Sequence, residues 1–315
     1  MIWLTNYITD KKFMFTRHFR VGLFFILGFW LPVGVHAAEW SAEVGYESSF
    51  YLHSGPQGQS KVHPSVRLEA EYYRDWKDGQ ESFTFSPLLV LDGQDSERTH
   101  WDIKELAWIH VDDGWELRSG IRTVFWGVME TRHLVDIINQ TDQVMNFDGE
   151  DKLGQPMVNL SIDQSWGTLD LYIMSFFRDR TFAGKDGRLR GPLIVDTDNP
   201  RFESANNRNR IEGAIRWHQY FGDFDIALSH FSGTGREPVF ELQGTLVGTT
   251  FTPNGMVTPV YPVIDQTGLE LQYIYEGWAL KAEAIHHYGY AGRYSAAVFG
   301  FEFTQSGLYD SRIDL

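Results

Sequence analysis

The chain has 315 residues, with 42 acidic against 27 basic for a formal net charge of −15, and no cysteine. A mean hydropathy of −0.30 excludes a bundle of membrane-spanning helices, and the acid excess argues against nucleic acid, whose phosphates call for Lys and Arg. Neither excludes a membrane β-barrel, whose strands are only half apolar; 15 % aromatic residues and 30 glycines suit one.

Residues 1–37 read as a secretory leader. Lys11, Lys12, Arg17 and Arg20 precede an apolar run over residues 21–31. Pro32 follows, then Val35 and Ala37 in the −3 and −1 positions, so cleavage is expected after Ala37. The run is too short to cross roughly 30 Å of hydrocarbon as a helix. Met14 is a second candidate start, because residues 14–37 alone make a compact leader. Cleavage takes four of the 27 basic residues and one of the 42 acidic ones, leaving 23 and 41, a net of −18. That charge suits an exported protein facing divalent cations, or a pore that favours cations. Absence of cysteine fits the same route.

From residue 38 onward about twelve segments alternate with period 2, the signature of strands with two unlike faces. Trp40, Ala42, Val44, Tyr46, Ser48 and Phe50 oppose Ser41, Glu43, Gly45, Glu47 and Ser49. Val66, Leu68, Ala70 and Tyr72 oppose Arg67, Glu69, Glu71 and Tyr73. Asp78-Gly79 signals a hairpin into Phe83, Phe85, Pro87, Leu89 and Leu91. The fourth segment, residues 101–111, slips phase near Glu105 to Ala107, which predicts a bulge. The fifth begins at Trp115, and the sixth and seventh cover residues 156–163 and 168–177. The eighth to twelfth cover residues 210–220, 224–231, 266–275, 278–288 and 294–304; residues 239–252 form a further hairpin candidate.

Loop length sorts by parity. Connections after the second, fourth, sixth, eighth and tenth strands are short, and those after the fifth, seventh and ninth are long. Those after the first, third and eleventh are expected to be moderate. Outer-membrane barrels have short periplasmic turns and long external loops; a soluble sandwich has no reason to sort its loops this way. Trp and Tyr residues near the strand ends, including Trp40, Trp76, Trp101, Trp115, Trp166, Trp217 and Trp278, suit aromatic girdles. The carboxyl end, YDSRIDL, lacks the terminal aromatic with which many such barrels finish. Two expectations stand there: closure with twelve strands, or a piece of a larger barrel.

The stretch over residues 115–154 organises the rest. Trp115, Leu117, Ser119, Ile121 and Thr123 alternate with Glu116, Arg118, Gly120 and Arg122. A long connection follows, with five acidic residues from Asp136 to Asp151 beside Arg132 and His133. It also carries Phe125, Trp126, Val128, Leu134, Ile137 and Ile138, apolar residues that need something to pack on. Loop parity would place residues 124–154 outside the barrel; the apolar residues favour the alternative, that the loop folds back inside and narrows it. At Arg118, Gly120, Arg122, Trp126 and Gly127, then Asp136 and Asn139, the chain resembles a family of porin-like proteobacterial outer-membrane barrels. The resemblance covers about 40 residues. It implies a barrel and solute passage, and names no substrate.

The predicted pore-lining set is Arg67, Glu69, Glu71, Lys104, Arg118, Arg122 and Glu283 from the strands, with Arg132, His133 and Asp136 from the loop. Inward charges bias ion passage, although Arg and Glu can equally pair across strands to stiffen the wall. No catalytic residue, metal or cofactor is expected. The chain has no GxSxG, HExxH or Gly-rich phosphate loop, and Asp148, Glu150 and Asp151 lack the spacing of a helix–loop–helix calcium site. His286 with His287, and Ser229 with His230, are adjacent and face opposite ways on a strand.

These readings lead to an all-β, antiparallel transmembrane β-barrel after residue 37, in the outer membrane of a Gram-negative cell. Its partners would be outer-membrane lipid, lipopolysaccharide and small hydrophilic solutes, and it could form a homo-oligomer. Two alternatives stay open: a non-conducting structural or adhesive barrel, and a soluble exported β-protein binding carbohydrate through its Trp residues.

Overall fold

In the computed structural model of the chain, residues 23–26, 38–146, 148–290 and 292–304 are described. The protein is almost entirely β. Twelve strands form one antiparallel sheet in which each pairs with the next in sequence. They are β1 Ala38–Phe50, β2 Val62–Trp76, β3 Glu81–Asp92, β4 His100–Asp112, β5 Trp115–Arg122, β6 Gln155–Gln164, β7 Gly167–Met174, β8 Glu212–Phe221, β9 Phe224–Thr234, β10 Val263–Tyr275, β11 Trp278–Gly289 and β12 Gly292–Phe303. No ladder joins β12 to β1 among the described residues. Most of the expected leader, and the carboxyl end from residue 305, lie outside the described residues. The exception is Leu23–Ile26, whose backbone pairs antiparallel with β1, Leu23 opposite Tyr46 and Ile26 opposite Glu43.

The sheet is curved around residues 123–154. Side chains of β7, β10 and β11 reach that one segment, and its Met129 lies against Gly300 of β12, so these strands share a concave face. The cross-strand register then assigns every stave. On β5, Glu116, Arg118 and Arg122 face inward and Trp115, Leu117 and Ile121 outward. The same rule puts Leu169, Leu171 and Ile173 of β7 and Phe299, Phe301 and Phe303 of β12 on the convex face. The predicted alternation holds strand by strand.

The predicted bulge is present one residue earlier than expected. Ser86 pairs with Glu105 but Pro87 pairs with Ile103, leaving Lys104 as the extra residue. Pro87 has no N–H to give the ladder, which is where a strand tolerates an insertion. The short turns lie at one end, as expected; at Glu276 and Gly277 both φ angles are positive, 43° and 82°, the conformation that matches strand twist in a two-residue hairpin. The connection from β11 to β12 is only two residues, where a moderate one was expected. Strand β7 ends at Met174, short of Phe177, because Phe176 turns to φ 59°.

The hairpin expected at residues 239–252 is real and longer. Val239–Val247 pairs with Thr250–Tyr261, and the short strands Ile194–Val195 and Arg201–Phe202 add parallel to the second arm. This small sheet ties together the two long connections after β7 and β9. Phe177, Phe202 and Tyr261 pack at its base, with ring centroids 5.0–5.9 Å apart.

Gly120 is the tightest point of the wall. Its φ is 135°, and a Cβ there would lie 1.9 Å from the Leu106 carbonyl oxygen. Gly120→Ala is expected to lower folding stability by at least ~1–3 kcal/mol, read as a loss of the heat-modifiable folded band on a cold gel.

Candidate functional site

The site is the concave face with the segment it holds. Trp126, Val135 and Ile138 are fully buried and pack with Met157, Tyr172, Met174, Phe231, Ile264 and Ile285 of the wall. Apolar side chains on a connection find the partners they need by crossing to the far side of the sheet.

Polar anchors set where the segment sits. The Glu283 carboxylate on β11, 1 % exposed, accepts four backbone N–H groups. Val128 and Met129 donate to one oxygen at 2.8 and 2.9 Å, and Leu134 and Val135 to the other at 2.7 and 3.3 Å. Each donor offsets part of the cost of burying the charge. The neighbouring Glu270 takes Arg216 at 2.9 and 3.0 Å and the Gly127 N–H at 3.1 Å. Gly127 has φ 131°, and a Cβ would stand 2.8 Å from the Glu283 carboxylate. Only glycine lets the backbone approach this closely.

Two further clamps close the segment. Asn139 accepts the Val124 N–H at 2.8 Å and donates to the Arg122 and Leu153 carbonyls at 2.9 Å each, so it ties the start of the loop to its end. Arg236 donates to the Ile138 carbonyl at 2.7 and 3.1 Å and to Glu212 at 2.8 Å. Its guanidinium lies over Phe177 and Phe231, about 5 Å from both rings.

Within the segment, Asp136 pairs with Lys152 at 3.1 Å, and Asp142 accepts the Thr181 hydroxyl at 2.7 Å. Burial raises the Asp136 carboxyl above its ordinary range, against the pull of Lys152. Burial raises Asp142 as well, against the Thr181 hydrogen bond.

The predicted residues fall into three groups. Arg67, Glu69 and Lys104 meet on the inner face of β2 and β4, where Glu69 binds Arg67 and, at 3.1 Å, Lys104; these three remain partly open, and Glu71 beside them is exposed. Arg118 is fixed by Glu116 and by Asn159 at 3.1 Å, and Arg122 sits half-buried below the loop neck with no partner for its Nε. Arg132 and His133 stand at the loop tip, His133 3.2 Å from Glu150, while Asp136 and Glu283 are taken up in seating the loop. Glu270, Arg216 and Asn159 were not singled out from sequence, although their strand phase carries the signal. Arg236, Arg180 and Glu237 lie in connections without a period, which carry none. His230 turns outward to Thr267 and His286 to Ser295, while Ser229 and His287 face inward.

Beside the loop tip lies a cavity of about 560 Å³, between Arg132, Asp136, Arg180, Glu237, Ile285 and Tyr294. Comparison with family models, curated proteins and solved structures finds no match for this chain.

Glu283→Ala leaves the loop donors facing an apolar gap. It is expected to weaken seating by at least ~3 kcal/mol, seen as faster amide exchange over residues 127–135; Glu283→Gln, which keeps one acceptor oxygen, loses less. The raised carboxyls of Asp136 and Asp142 set the pH response. Between the ordinary carboxylate value and the raised values, the seated loop holds more protons than the unfolded chain. Seating is therefore full below that window and weakens as pH rises through it. Protease resistance of the loop should fall with rising pH, and the slope should flatten in the double variant Asp136→Asn, Asp142→Asn.

Proposed function

We propose that the chain is an outer-membrane β-barrel that passes small hydrophilic solutes, narrowed by the loop over residues 123–154. One observation carries the reading: the hydrophobic pattern is inside out. Ile173 on the convex face is 62 % exposed and Phe299 is 78 % exposed, while Asn159, Glu270 and Glu283 are at most 2 % exposed in the interior. Water would not leave such a belt uncovered; hydrocarbon would. Convex aromatics gather at the short-turn end, with Phe224 4.3 Å from Tyr273 and Trp278 4.6 Å from Phe303. That suits an interfacial girdle on the periplasmic side.

The reading needs closure, because an unpaired strand edge in hydrocarbon is untenable. Twelve staves make a β12–β1 pairing antiparallel, and cleavage after Ala37 would free the β1 edge that Leu23–Ile26 occupies. The passage then runs along β1, β2 and β4, past Glu43, Arg67, Glu69, Glu71 and Lys104, opposite the loop's anchors on β10 and β11.

The second reading, a plugged and non-conducting barrel, is favoured by one feature, the apolar packing of Trp126, Val135 and Ile138 across the interior. Planar-bilayer conductance separates the two. Discrete channels are expected, larger in Glu283→Ala as the loop lifts; a folded, membrane-inserted barrel that never conducts rejects the passage. Ile173→Lys, on the lipid belt, should cut insertion into vesicles by ~2–4 kcal/mol, whereas a soluble protein would tolerate it.

A further inference from the structure

The cavity beside the loop tip carries charges the fold does not use. Three of its ions are spoken for: Lys152 by Asp136, His133 by Glu150, and Arg236 by Glu212. Arg132 and Arg180 are different. Both line the cavity, and neither guanidinium makes an ion pair or a hydrogen bond among the described residues. The Arg180 Nε is buried without a partner, although the Arg180 backbone N–H is held by the Tyr261 hydroxyl at 3.0 Å. Two like charges are thus brought to one cavity, on two separate connections. Glu237 and Asp148 also line it, and Glu237 is exposed. The remaining wall is apolar and aromatic, with Ile264, Ile285 and Tyr294, the last stacked on His287 at 4.7 Å.

We propose that this cavity is a binding subsite for a small organic carboxylate, its anionic head between Arg132 and Arg180 and its apolar body on Ile264, Ile285 and Tyr294. Guanidinium is the side chain suited to this, because its planar fork gives a carboxylate two parallel donors. A volume of about 560 Å³ falls in the range of small-molecule sites. Glu237 is the internal competitor: it is a carboxylate already within the field of Arg180, so an incoming anion must displace its influence. In the passage the site would give carboxylates a foothold at the external mouth; this role rests on the reading above, but the binding itself does not.

The test is calorimetric titration of the full-length protein, folded in detergent, with benzoate and with uncharged benzyl alcohol. Benzoate should bind and benzyl alcohol should not. Arg180→Gln should weaken benzoate at least about tenfold, and Arg180→Lys should not restore it, since a point charge lacks the fork. Glu237→Gln should tighten it. Because the Arg180 side chain makes no ion pair or hydrogen bond among the described residues, Arg180→Gln should keep the heat-modifiable folded band. Binding of benzyl alcohol equal to benzoate, an unchanged affinity in Arg180→Gln, or weaker binding in Glu237→Gln would each overturn the site. Bilayer conductance on the same samples keeps the two ideas apart: conduction without benzoate binding removes only the subsite, and binding without conduction removes only the passage.

Discussion

The arrangement depends on one buried carboxylate. Glu283 projects from the wall into a space that water barely reaches, and an ionised carboxylate there needs hydrogen-bond donors. Among the described residues no Lys or Arg supplies them; the backbone of residues 128–135 does, through the N–H groups of Val128, Met129, Leu134 and Val135. The wall therefore cannot satisfy its own side chain without the loop. The loop in turn cannot bury Trp126, Val135 and Ile138 without the wall. Each half removes the other's unfavourable exposure, and so a segment of some thirty residues, with little regular structure beyond the short ladder of Gln140–Thr141 on Lys152–Leu153, holds one place.

This coupling explains why glycine stands where it does. Gly120 lets β5 approach β4 at Leu106, and Gly127 lets the loop backbone come against Glu283. Both positions combine a positive φ with no room for a Cβ, so conformation and close approach ask for the same residue. Asn139 and Arg236 extend the logic: each serves backbone carbonyls that a loop, unlike a strand, leaves without partners.

The inside-out character of the wall has a consequence for charge. An acidic chain of net −15 concentrates cationic groups on its concave face, among them Arg67, Lys104, Arg118, Arg122 and Arg216. Most are balanced locally, as Arg216 is by Glu270 and Lys104 by Glu69. Those without an ion-pair partner among the described residues are Arg122 at the loop neck, Arg132 in the loop and Arg180 beside it; in the proposed passage an anion would be felt there.

The sequence by itself determined the staves, their two faces, the short turns at one end and the bulge beside Pro87, because each is written in neighbours one or two residues apart; the two-residue turn between β11 and β12 it did not foresee. The apolar side chains of residues 124–154 could be read as needing a surface to pack on, with an inward and an external course both open. What it could not supply is which carboxylate would receive that loop: Glu283 looked like one inward charge among many, and its four donors lie about 150 positions away in the chain. Nor did any period mark Arg236, Arg180 or Glu237, which sit in connections. Those choices were left to the tertiary structure, because the satisfaction of a buried charge depends on which groups the curved sheet brings within three ångströms, and spacing along the chain carries no record of that.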